Sequence, residues 1–143
     1  MNRQELLNQI EHYTPFNEQE ETDKQLILNW IRNNTNAFSR ENTVAHMTAS
    51  AWVVNQDKSK ILMVYHNIYN SWSWLGGHAD GETDLLAVAL REVKEEAGIS
   101  HVCPVSEEIF FFGIPYSRWT CEKGQICVQP FTSECNISAG SRF

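Results

Sequence analysis

The sequence predicts an α/β protein of the α+β kind: two leading helices, then short strands on either side of one further helix. Three observations carry this. Residues 2–33 hold helical periodicity, residues 44–75 hold β-branched and aromatic runs separated by turn residues, and residues 84–97 read as a capped amphipathic helix. The end of the chain, residues 110–143, follows no such pattern, so the fold is expected to be incomplete there.

The first helix spans residues 2–12, with Leu6, Leu7 and Ile10 on one side, and Pro15 ends it. The second spans residues 17–33. Glu18, Glu20 and Glu21 lie at its start and Arg32 at its end, an order that suits the helix dipole, and Leu26, Ile27, Trp30 and Ile31 supply its apolar side. We read residues 1–40 as a helical N-terminal extension packed on a domain of residues 43–143. Residues 44–54 and 60–65 flank the turn residues 55–59 as a hairpin, and residues 72–75 alternate as a short strand. After the third helix, residues 102–105 and 109–112 read as strand.

At 143 residues, 42% apolar and 11% aromatic, the chain has room for one packed domain with an extension. Its 11 basic and 18 acidic residues give a formal charge of −7, which excludes non-specific binding to nucleic acid or to anionic membranes. No apolar run approaches the roughly 20 residues of a membrane span, and the first residues contain no signal-peptide core. A cytoplasmic protein is the expectation. Cys103, Cys121, Cys127 and Cys135 form no Cys-x-x-Cys, so neither a zinc site nor a disulfide framework is expected.

The third helix carries the chemistry. Gly98 follows it where a left-handed residue is wanted. Leu86, Leu90, Val93 and Ala97 fall within about 60° of one another at 100° per residue, an apolar stripe. Glu92, Glu95 and Glu96 lie on the other side, with Glu92 and Glu96 spaced i, i+4. Arg91 is placed to pair with Glu95. The other two carboxylates are left to face a cation, and oxygen ligands of this kind suit Mg²⁺ or Mn²⁺. On the carboxylates alone, an acidic solvent face is the favoured reading.

The loop before the helix decides between these. Gly76-Gly77, then Arg91-Glu92-Val93-x-Glu95-Glu96-x-Gly98-Ile99 at a fixed distance, resembles the Nudix box. The match has one departure: the first Glu of the pattern falls on Thr83, with Glu82 and Asp84 on either side. The resemblance implies a mixed sheet flanked by helices. It also implies Mg²⁺ or Mn²⁺ held by Glu92, Glu95, Glu96 and the carbonyl of Gly77. The implied activity is hydrolysis of the pyrophosphate linkage in a nucleoside diphosphate derivative, with Glu92, Glu95, Glu96 and Arg91 as the catalytic set. Glu95 or Glu96 would take a proton from the attacking water, and Arg91 would orient Glu95.

Two further residues are candidates for substrate contact: Trp74, whose ring could stack on a base, and His78, which follows the glycines. Core packing is the competing use for Trp72 and Trp74, solvation for His78 and a structural role for His46. The alternative function is a catalytically inactive Nudix-fold domain that binds a nucleotide or a protein. A minor third is an isomerase of isopentenyl diphosphate, which would want a cysteine near the box, where none stands. The partner expected is a small molecule. The oligomeric state is not legible.

The resemblance runs well over residues 43–110 and is lost beyond. One explanation of residues 110–143 is a loop-rich tail; the other, which we favour, is that they are translated out of frame. Read one nucleotide later, codons for residues 118–124 permit Asp-Gly-His-Val-Lys-Arg-Gly, a turn. Those for residues 131–140 permit the strand-like Leu-His-Leu-Asn-Val-Thr-Tyr-Leu-Leu.

Overall fold

A computed structural model describes residues 1–67, 70–113 and 125–133, with 111–113 and 125–133 given by their backbone alone. Helix α1 (Arg3–His12) begins at Asn2. The Asn2 side chain accepts the Glu5 N–H and the Glu5 carboxylate accepts the Asn2 N–H, a reciprocal cap. Helix α2 (Glu18–Asn33) is capped by Asn17 through the Glu20 N–H. Leu6, Ile10, Ile27 and Ile31 are fully buried where the helices meet the rest of the chain. Leu26, expected on that face, is 46% exposed, and Leu28 is buried in its stead.

Three charged side chains of α2 are buried with partners, Asp23 accepting the Gln19 side-chain N–H within the helix and the other two serving the turn before it. Glu20 accepts the Tyr13 hydroxyl and the Phe16 N–H. Lys24 donates to the carbonyls of Glu11 and Tyr13. Together they satisfy the connection around Pro15, whose backbone groups would otherwise be left short of partners.

Strand β1 (His46–Val54) is the centre of the sheet. The expected hairpin forms only at its base: β2 (Ile61–Leu62) pairs antiparallel with Val53 and Val54. The chain then departs, and β3 (Val64–His66) pairs with β4 (Ser71–Ser73) as a separate two-stranded ribbon. Strand β5 (Leu75–His78) returns to β1, setting Gly76 opposite Ser50 and Gly77 opposite Ala49. Helix α3 (Leu85–Ala97) follows and packs on β5 and β1. Strands β6 (Cys103–Gly113) and β7 (Gln125–Ser133) complete the order β2-β1-β7-β6, with β5 also on β1. Because β7 runs parallel to β1 and antiparallel to β6, the sheet is mixed, as expected.

Strand β7 lies inside the segment whose sequence shows no pattern, and it occupies a central position. Its residue Pro130 has no N–H to give to a ladder. Both ladders are interrupted there: the pairing to β1 skips from Val128 to Phe131, and the pairing to β6 shifts register on either side of Ile109, the partner of Pro130. A strand broken in this way leaves no period-2 signature to read. Residues 114–124 and 134–143 lie outside the described residues.

A single core cluster joins the extension to the sheet. Leu6, Ile10, Ile27, Ile31 and Phe38 share it with Met47, Ala49, Leu75, Val88 and Val93. The buried face of α3 is Leu85, Val88, Ala89 and Val93. Leu86 and Leu90, expected to lead the stripe, are half-buried, so the helix sits about a quarter turn from its expected orientation. Cys103 is disulfide-bonded, against the expectation of free thiols.

Candidate active site

Asp84, expected as the first residue of α3, instead caps it by accepting the Ala87 N–H, and Gly98 closes the helix at φ +67°, as the sequence predicts. This fixes where the three glutamates stand relative to the glycines of β5. A Cβ built on Gly77 would lie 2.4 Å from Glu92 Oε2, so the carboxylate of Glu92 occupies the space a side chain would need. Glycine is required at 77 for this close approach. Glu96 accepts the Gly76 N–H at 3.1 Å. The elbow at Gly76 and Gly77 therefore gathers Glu92 and Glu96 from successive turns of one helix.

Partial burial raises the pKa of Glu96, and the charge of Glu92 adds to this, while the Gly76 N–H and His66 oppose it. Among the described residues no three His, Cys, Asp or Glu side chains form a group able to hold a metal ion. That donor set does not make a protein cage. It does fit Mg²⁺, which takes one or two carboxylates and fills its remaining positions with water and phosphate oxygens.

Arg91 behaves differently from the expectation. It bonds Glu92 Oε1 at 3.1 Å and makes a long 3.5 Å contact to the His78 carbonyl, rather than pairing with Glu95. Glu92 has been drawn back against Gly77, which brings it within reach of its neighbour. Glu95 instead joins Arg91, Glu92, Arg40, Asp80 and Glu82 in lining an open polar groove of about 710 Å³. That is a volume usual for small-molecule sites.

His78 and His46 are joined. His46, buried in β1, places Nδ1 3.2 Å from the Asn42 carbonyl and Nε2 2.9 Å from His78 Nδ1. A carbonyl only accepts, so Nδ1 of His46 carries a proton. With both rings neutral, His46 Nε2 accepts from His78 Nδ1–H, and His78 Nε2 is the unprotonated nitrogen.

Trp74 is half-buried and stacks on Trp52, with ring centroids 6.4 Å apart. Trp72, expected to share its face and pack in the core, belongs to the separate ribbon and is 65% exposed against Tyr65. Arg40, Asp80 and the His46–His78 contact were not singled out from sequence. They come together over 32 or more residues, and no local spacing announces them.

The family model of the NUDIX domain matches residues 44–129, more than half of the chain. The chain belongs to the Nudix family. The match reaches past residue 110 into β7. No curated protein matches the chain.

Proposed function

We propose that this protein is a Nudix hydrolase that cleaves the pyrophosphate linkage of a nucleoside diphosphate derivative with the help of Mg²⁺ or Mn²⁺. The observation that carries the proposal is the convergence of Glu92 and Glu96 on Gly76-Gly77, beside a polar groove walled by Glu95 and Arg91. Glu92, Glu96, the carbonyl of Gly77 and Glu95 would hold the ion. When bound, it supplies charge neutralisation at phosphate oxygens and a more acidic water.

The remaining work falls to the chain itself. Arg91 holds Glu92 in place against the glycines. Glu95, on the groove wall, or Glu96 takes the proton of the attacking water. His78 and Trp74 would contact the nucleoside side of the substrate. A small-molecule substrate and a cytoplasmic location belong to this reading. The net charge and the absence, among the described residues, of any helix long and apolar enough to cross a membrane agree with it.

A second reading, a nucleotide- or protein-binding domain without turnover, draws support from Thr83 and from the incomplete carboxylate cluster. The two separate in one assay. A panel of nucleoside diphosphate derivatives is incubated with and without Mg²⁺, and phosphate-containing products are counted. Hydrolysis requires Mg²⁺-dependent products that fall by about 10²-fold or more in Glu96→Gln at an unchanged melting temperature. Binding without any product would support the second reading.

A further inference from the structure

Residues 79–84 connect the glycines of β5 to the cap of α3, and within the loop the Glu82 N–H donates to the Ala79 carbonyl and the Asp84 N–H to the Glu82 carboxylate, both at 2.9 Å. Asp80 and Gly81 are both left-handed, at φ +49° and +93°, which is unfavourable for Asp80. The loop is also held from outside. The Gly81 N–H donates to the Phe38 carbonyl at 2.9 Å. Arg40 grips Asp80 with two nitrogens, Nε to Oδ1 at 2.6 Å. Thr83 Oγ1 donates to the Met1 carbonyl at 2.9 Å. Every one of these partners precedes residue 44, where the family match begins. The partners are themselves anchored: Ala37 and Phe38 are buried, and the Ala37 carbonyl accepts the Met47 N–H of β1 at 2.8 Å.

We propose that the N-terminal extension is part of the site, with Arg40 and Thr83 as positioning residues that brace the loop 79–84. The brace acts at two places. Asp80 and Glu82 are groove walls, so the loop sets the shape of the groove. Asp84 caps the helix that carries Glu92, Glu95 and Glu96, so the loop also sets where that helix begins. Thr83 stands where the Nudix pattern has Glu, and a hydroxyl there reaches a backbone carbonyl of the extension. Arg40 adds a cation to a groove wall that otherwise offers Arg91 against four carboxylates. The effect on catalysis rests on the groove being the substrate site; the brace itself does not.

The test uses the full chain with Arg40→Ala, Thr83→Val and Thr83→Ser, and reads amide hydrogen exchange beside steady-state kinetics. Exchange at Gly81 and Glu82 should rise about tenfold in the Ala and Val variants, with α2 and β1 unchanged. KM for the Mg²⁺ complex of the substrate should rise about tenfold with kcat within about threefold, since the groove wall and not the reacting group has moved. Thr83→Ser, which keeps the hydroxyl, should restore both. Wild-type exchange at Gly81 in both disruptive variants would overturn the proposal. So would a rise shared equally with α2 and β1, or a loosened loop with unchanged KM. A faster Gly81 amide in a protein that hydrolyses nothing would keep the brace and reject the hydrolase reading.

Discussion

The two neighbouring glycines of β5 should respond in opposite ways to the same added methyl group. At Gly77 the Cβ of alanine would meet only the end of the Glu92 side chain, at 2.4 to 2.9 Å. A carboxylate on a flexible stem can swing away, so the fold should lose less than about 1 kcal/mol. The carboxylate must still move by about 1 Å to restore normal contact. A misplacement of that size at a reacting centre costs on the order of 10²-fold, or about 2.7 kcal/mol of transition-state stabilisation. At Gly76 the Cβ would meet the Ala49 carbonyl oxygen at 2.5 Å and the Ser50 Cα at 2.6 Å, both backbone of β1. The Ser50 Oγ, also at 2.5 Å, can rotate, but the two backbone atoms cannot swing away, and overpacking of this kind costs about 1–3 kcal/mol. Thermal melts and Mg²⁺-dependent hydrolysis measured on both variants decide the matter. Gly77→Ala should melt within a few degrees of wild type and turn over about 10²-fold more slowly. Gly76→Ala should melt roughly 3–10 °C lower. Near-normal turnover in Gly77→Ala would refute the placement of Glu92 at the reacting centre. A wild-type melt in Gly76→Ala would refute the close β1–β5 approach on which the elbow depends.

Three other outcomes are expected. Glu96 has its pKa raised in the folded protein, so the native state holds that proton more tightly than the unfolded chain. Stability of the metal-free protein should then fall as pH rises through the window above the ordinary carboxylate value of 4.5, and Glu96→Gln should flatten this part of the profile in denaturant titrations. Tyr13→Phe removes one donor from the buried carboxylate of Glu20, which should cost about 1–3 kcal/mol in urea unfolding with the m-value unchanged. The family match runs in the given frame to residue 129, which counts against an out-of-frame reading of residues 110–129; we propose that reading for the end of the chain beyond the match. Sequencing the gene from codon 105 onward should then show the shifted frame open well past codon 143 and encoding alternating strand residues, whereas early closure of that frame would end the idea.

What was legible in the sequence is what short-range chemistry fixes. The ends of α3 could be read because Asp84 and Gly98 act on backbone groups three or four residues away. Glu92 and Glu96 could be read as a pair because one helical turn places them together. The orientation of α3 could not be read in the same way. Leu85 and Leu86 are equally apolar, and only the position of β1 and β5 selects Leu85, Val88 and Ala89 for burial. Arg91 shows the same limit at the site. Its i, i+4 neighbour is Glu95, yet Gly77 holds Glu92 and the His78 carbonyl close to the guanidinium, and the tertiary pair wins.

The extension marks where local reading stops and the site becomes a property of the whole chain. Taken alone, residues 1–40 are two helices with an apolar side, and packing accounts for them. In the fold they share one core with the sheet and place a carbonyl, a guanidinium and a second carbonyl along residues 80–83. The exposed Arg40–Asp80 pair is worth at most about 1 kcal/mol as a contribution to stability. Its weight for function is different in kind. The pair holds a left-handed loop that both leads into the cap of α3 and walls the groove. Thr83, the one departure from the family pattern, sits inside that set of contacts. Its hydroxyl binds the extension at the position where the pattern carries a carboxylate, so the departure and the extension are two parts of one arrangement.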